Sequence, residues 1–111
     1  MAYFPQTVAS TRSPRVSLQR PIPIDFRHEE GMVRGDLHVV SATGGRARTP
    51  KPMAAGSVVE LMMGTSAGPV RGIVEVLKAR QMIHGWVQPF RFLALGDDDF
   101  DRLKKVMQES A

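Results

Sequence analysis

The chain contains no cysteine. Disulfide staples, thiolate nucleophiles and cysteine-bound metals are therefore excluded. Aromatic residues are few, with one tryptophan, one tyrosine and five phenylalanines among 111 residues. That supply is thin for the ring platforms on which single-stranded nucleic acids stack. No apolar run approaches the roughly 18 residues expected of a membrane-crossing helix. The opening residues, Met1-Ala2-Tyr3-Phe4-Pro5, carry neither a basic stretch nor an apolar run, so no secretory leader is read there. The expected location is the cytoplasm, without membrane insertion. The histidines His28, His38 and His84 form no i, i+4 helical pair, and no cysteine assists them. No metal site is expected, and each histidine reads as a surface or packing residue.

Catalytic signatures are missing too. Asp36, His38 and Ser41 have the residue types of a hydrolytic triad, but on one strand Ser41 would face away from the other two. No Gly-x-Ser-x-Gly elbow is present. The glycines at 64 and 68 lack the Gly-Lys-Ser/Thr ending of a phosphate-binding loop. The run Asp97-Asp98-Asp99-Phe100-Asp101 lacks the longer spacing and closing glutamate of a calcium loop. The expectation is a non-enzymatic protein with no catalytic residue and no required cofactor.

A chain of this length fits one domain with a modest core. The formal net charge of +4 is moderate, but its distribution is uneven. The first 24 residues contain Arg12, Arg15 and Arg20 and no acid, while the acids cluster at 97–101. A basic arm suits an anionic partner, and a solvated tail is the alternative. Residues 1–19, with Pro5 and Pro14 and no sustained periodicity, are expected to form a flexible arm containing arginines. Residues 20–111 then form one domain.

Period-two alternation over 22–27 predicts a half-buried strand that opens on Pro21 and Pro23. A turn at Glu29-Glu30-Gly31 leads to a second strand at 32–41, with Val33, Leu37 and Val39 on one face. A small turn follows at 42–45, then a third strand at 45–49 and a loop at 50–56. Residues 57–63, 70–80 and 83–94 complete six short antiparallel strands, with Trp86, Phe90 and Phe92 sharing a parity in the last. Gly72 marks a bend in the long strand. Met53, Met62, Met63, Met82 and Met107 read as core filler or adaptable surface, and Trp86 as core. Phe100, Leu103, Val106 and Met107 recur at helical spacing, predicting an amphipathic helix over 97–109. The aspartates suit its positive end, and Lys104 and Lys105 lie towards the negative end. The expected fold is mainly β, a small six-stranded antiparallel barrel whose C-terminal helix covers one opening.

Two stretches carry the functional reading. One is Arg12-Ser13-Pro14-Arg15; the other is Val39-Val40-Ser41-Ala42-Thr43-Gly44-Gly45. Arginine offers planar donor forks for phosphates and guanine edges. The second stretch offers a hydroxyl beside glycines that permit close backbone approach. Together with the order of strands and the closing helix, they resemble the PilZ family from about Arg12 to Met107. Pro89-Phe90-Arg91-Phe92 is similar to the family's Gly-apolar-Arg-Phe strand, and 95–103 to its entry into the last helix.

The resemblance implies a bacterial signalling domain that binds cyclic di-GMP through an Arg-x-x-x-Arg arm and an Asp/Asn-x-Ser-x-x-Gly turn. Arg15 fits the second arginine of that arm. Thr11 occupies the first position, and Arg12 stands one residue away. Ser41, Gly44 and Gly45 fit the turn, while Val39 replaces the acidic or amide residue. Valine cannot hydrogen-bond a guanine edge. The expectation is an adaptor working through protein partners in motility, pilus or polarity regulation, with cyclic di-GMP binding weak or lost. The alternative is a working receptor in which Arg12, Arg15, Ser41, Gly44 and Gly45 hold the ligand. A third reading, a small basic barrel binding nucleic acid through a patch extended by Arg46 and Arg48, ranks below both.

Overall fold

Strands dominate because β-branched and aromatic residues alternate with polar ones along most of the chain. The computed structural model describes residues 2–3 and 14–110, with side chains from 14 onward. Its elements are β1 (Ala2–Tyr3), β2 (Val16–His28), β3 (Gly31–Val40), β4 (Gly44–Thr49), β5 (Val58–Thr65), β6 (Gly68–Val76), β7 (Arg80–Gln81), β8 (Trp86–Gly96) and α1 (Asp97–Ser110). Neighbouring strands follow the order β8-β4-β3-β2-β5-β6, and β6 pairs back onto β8. This closes the expected six-stranded antiparallel barrel, with one C-terminal helix. Closure leaves the long strands without an open edge. The short β1 and β7 pair with opposite ends of β8.

The barrel interior is apolar. Ile24, Phe26, Leu37, Val40, Met63, Val70, Val74 and Val76 are essentially inaccessible. Phe90 organises the centre, meeting Phe26 edge-on at 5.5 Å and Phe92 at 5.6 Å between ring centroids. Among the described residues Ser41, Thr49 and Gln88 are the buried polar ones. Gln88 is fully buried, its Oε1 accepting from the Met53 N–H at 3.1 Å. Its Nε2 donates to the carbonyls of Leu77 and Pro89 at 2.8 and 3.0 Å. The side chain thus fastens the β4–β5 loop and the segment after β6 to β8. Gln88→Leu keeps the size but orphans a donor and an acceptor, so it is expected to cost about 2 kcal/mol. Urea unfolding at unchanged m-value measures that loss.

Several boundaries differ from the sequence expectation. β2 begins upstream of 22, at Val16, and its register with β3 shifts between Ser17 and Ile22. The long strand expected over 70–80 ends at Val76: the Leu77 N–H still donates to the Pro89 carbonyl, one step beyond the Val76–Phe90 pair, but proline has no N–H to return the bond. The last strand covers Trp86–Gly96 rather than 83–94, since 82–85 form a turn closed by the Met82 N–H and the Gly85 carbonyl. Trp86 is half-buried at the barrel's end rather than core. Val39 does not share the inward face of Val33 and Leu37. The β3–β4 register shifts between Leu37 and Val39, with His38 the extra residue, so Val40 points in and Val39 out. A bulge of this kind reverses the parity of everything beyond it.

The helix forms where period two gives way to period 3.6. Leu103 and Val106 are buried, while Phe100 and Met107 pack against the core beside Leu18 and Ile22. The acidic first turn has a structural use. Asp99 accepts the Arg71 N–H at 2.9 Å and lies 3.5 Å from the Arg102 guanidinium. Ser66 donates to Glu109 at 3.0 Å, which seats the helix over the β5–β6 turn. No basic residue occupies the last turn, so Lys104 and Lys105 sit too early to complement the negative end.

Candidate functional site

The start of β2 lies beside the end of β3, next to the small turn. Val16 pairs with Val40 and Ser17 with Val39. Arg15 and Ser41 therefore follow directly on the Val16–Val40 pair, one residue beyond it on each side. Arg15 is exposed. Thr11 and Arg12 lie outside the described residues.

Ser41 uses its polar groups within the turn. Its N–H donates to the Gly44 carbonyl at 2.8 Å, closing the reversal from β3 to β4. Its hydroxyl accepts the Thr43 N–H at 3.2 Å and lies 3.1 Å from the Thr43 hydroxyl and 3.4 Å from the Gly44 carbonyl. Only 8% of the residue is exposed. The Thr43 carbonyl in turn accepts the Phe92 N–H at 2.9 Å, tying the turn to β8.

Gly44 and Gly45 are demanded by packing. A β-carbon on Gly44 would overlap the Phe90 carbonyl oxygen and lie 2.9 Å from the Arg91 α-carbon. On Gly45 it would lie 2.6 Å from the Val39 carbonyl oxygen and 3.0 Å from the Phe90 ring. Backbone cannot yield as a side-chain tip can, so β4 crosses β8 and β3 here only without side chains. These glycines therefore have a sufficient cause inside the barrel, independent of any ligand.

Val39 is half-buried on the outer face, flanked by Ser17 on β2 and Arg46 on β4. Beyond Arg46 lies Pro89. Val39 is thus an outward-facing valine with an arginine next to it. Sequence reasoning put Arg46 and Arg48 on one strand face but missed that Arg46 abuts Val39. The His38 bulge creates that adjacency, and nothing local in the sequence announces it. Arg91 is held elsewhere, in an ion pair with Glu75 on β6. Among the described residues no cluster of histidine, aspartate and glutamate could hold a metal ion, and no helix is long and apolar enough to cross a membrane.

This architecture is that of known PilZ structures. The PilZ domain of YcgR from Escherichia coli, described with c-di-GMP, superposes with a TM-score of 0.78 at 14% identity, covering 91% of each chain. The Bacillus subtilis inhibitor of motility, MotI/DgrA, superposes with a TM-score of 0.66 at 12% identity, covering 90% of this chain and 49% of that one. MrkH from K. pneumonia in its apo state gives 0.66 at 18%, covering 95% and 54%. This chain therefore spans about half the length of MotI/DgrA and MrkH, and matches nearly all of the YcgR domain taken singly. No family model and no curated protein matches the sequence. The structural likeness defines the class of fold, a PilZ-like barrel.

Proposed function

We propose that this protein is a non-enzymatic bacterial adaptor with a PilZ-like barrel, acting through protein contacts in motility, pilus or polarity regulation. In this reading its affinity for cyclic di-GMP is weak or lost. The observation that carries it is the state of the turn. The Ser41 hydroxyl is spent on Thr43 and Gly44, the two glycines are required by β3 and β8, and Val39 supplies no hydrogen bond. What remains of the motif is what the barrel itself needs.

Calorimetric titration with cyclic di-GMP at physiological salt tests this. The expected result is no heat and no rise in Tm at high ligand excess. A ligand present at 100 times its Kd would stabilise the fold by about 2.7 kcal/mol, a shift that is easily seen. Micromolar binding that is lost in an Arg15→Ala, Ser41→Ala variant would sink the adaptor reading. One observation favours that second reading, a working receptor: Val16 pairs with Val40, so Arg15 and Ser41 are the next residues on either side of that pair. The two readings share a prediction. Val39→Asp restores a hydrogen-bonding group on the outer face and is expected to strengthen cyclic di-GMP binding by roughly tenfold or more. Parallel titration of the variant checks it.

A further inference from the structure

We propose that the outer face shared by β3, β4, β8 and β7 is a docking surface for an extended acidic segment of a partner protein. The proposal rests on the adaptor reading and names the chemistry of its partner. Two cross-strand rows make the surface. Val39, Arg46 and Pro89 lie side by side in one. Asp36, Arg48, Val87 and Arg80 lie side by side in the next. Paired residues of neighbouring strands project to the same side of a sheet. Arg46, Arg48 and Arg80 therefore stand on one surface, and all three are exposed. Strand geometry sets Arg46 and Arg48 about 7 Å apart along β4, with Arg80 about 10 Å across from Arg48. The half-buried Val39, Val87 and Pro89 form the floor between them.

Among the described residues, none forms an ion pair or hydrogen bond with these three side chains. The ion pairs among the described residues join Arg34 to Asp25, Arg91 to Glu75, Arg102 to Asp99 and Lys104 to Asp101. Asp36 is the one acid in the two rows, and it forms no ion pair with Arg48 across the strand. Three guanidinium groups over an apolar floor carry a net positive field that a single carboxylate does not cancel.

The pattern favours an acidic polypeptide in extended form. Alternate residues of a strand recur on one side at the same spacing as Arg46 and Arg48. Carboxylates at alternate positions would meet successive arginine forks, each able to take two parallel hydrogen bonds. Arginine is also enriched at protein interfaces, where lysine is depleted. Nucleic acid fits less well, because neither row contains an aromatic side chain on which a base could stack.

The test is NMR titration of the full, isotope-labelled chain with a synthetic acetylated peptide alternating glutamate with valine and serine. Amide shifts are expected on β3, β4, β7 and β8, with affinity falling as salt rises. R46E/R48E/R80E is expected to bind at least about tenfold more weakly. R27E/R71E, which reverses two exposed arginines on β2 and β6, is expected to bind as the parent does. Circular dichroism confirms the fold of both variants, since only outward side chains change. Equal weakening by both variants, shifts centred elsewhere, or equal binding of a glutamine version of the peptide would overturn the proposal. Tighter binding of oligothymidine to the same face would overturn it in favour of nucleic acid. Failure of the adaptor reading is separately visible as calorimetric heat with cyclic di-GMP, whereas failure here is visible as peptide binding indifferent to these arginines.

Discussion

Gly44→Ala is expected to destabilise the protein by about 3 kcal/mol, at the upper end of overpacking costs. The added methyl group would fall on the Phe90 carbonyl and beside the Arg91 α-carbon, both backbone atoms of the adjoining strand. Relief requires β4 and β8 to part, and with them the pairs Gly44–Arg91 and Gly45–Phe90. For a domain near this size each kcal/mol moves Tm by roughly 4–8 °C, so the fall should exceed about 12 °C. Thermal unfolding followed by circular dichroism, without any ligand, measures it. An unchanged Tm would mean that the glycine is not there for the barrel. It would then have to be explained by something that binds from outside, which would favour the receptor reading.

Phe90→Ala should be costlier still, at about 3–5 kcal/mol. Phe90 is 2% exposed and meets two other rings edge-on, so its loss leaves a cavity as well as lost contacts. Its ring also lies against the α-carbon side of Gly45, where the motif turn passes into β4. Core and candidate site are thus two sides of one residue. Urea unfolding is the measurement. A loss below about 1 kcal/mol would show that the interior repacks freely, against the close-packed arrangement of its three phenylalanines.

The small cost of changing outward residues should contrast with these two. Arg46, Arg48 and Arg80 touch no interior group, and substitutions at such positions usually stay within about 0.5 kcal/mol. A face whose residues matter little to stability is one whose composition can be set by partners.

Much of the architecture was legible from local pattern. Alternation in 22–27 and 32–41 points to half-buried strands, and the change of period at Phe100, Leu103, Val106 and Met107 points to the helix. These signals are local, because one element's buried face is written in its own spacing. Strand ends were less legible. Leu77 follows β6 in the same register, its N–H bonded to the Pro89 carbonyl, yet the ladder stops there because proline offers no N–H in return. Strict alternation along β3 predicts Val39 on the face of Val33 and Leu37, but the bulge at His38 turns it outward.

Residue order was enough to indicate a small antiparallel barrel with a closing helix and to exclude thiol chemistry. Those conclusions depend on residue type and on spacing within single elements. Which residues became neighbours across strands depended on pairing register. The bulge at His38 turned Val39 outward beside Arg46, the β2–β3 register paired Val16 with Val40 at the foot of the small turn, and the pairing of β8 with both β4 and β7 gathered Arg46, Arg48 and Arg80 onto one face. Register is settled by closure of the whole barrel, where every strand must satisfy two neighbours at once, and no single strand's sequence carries that condition.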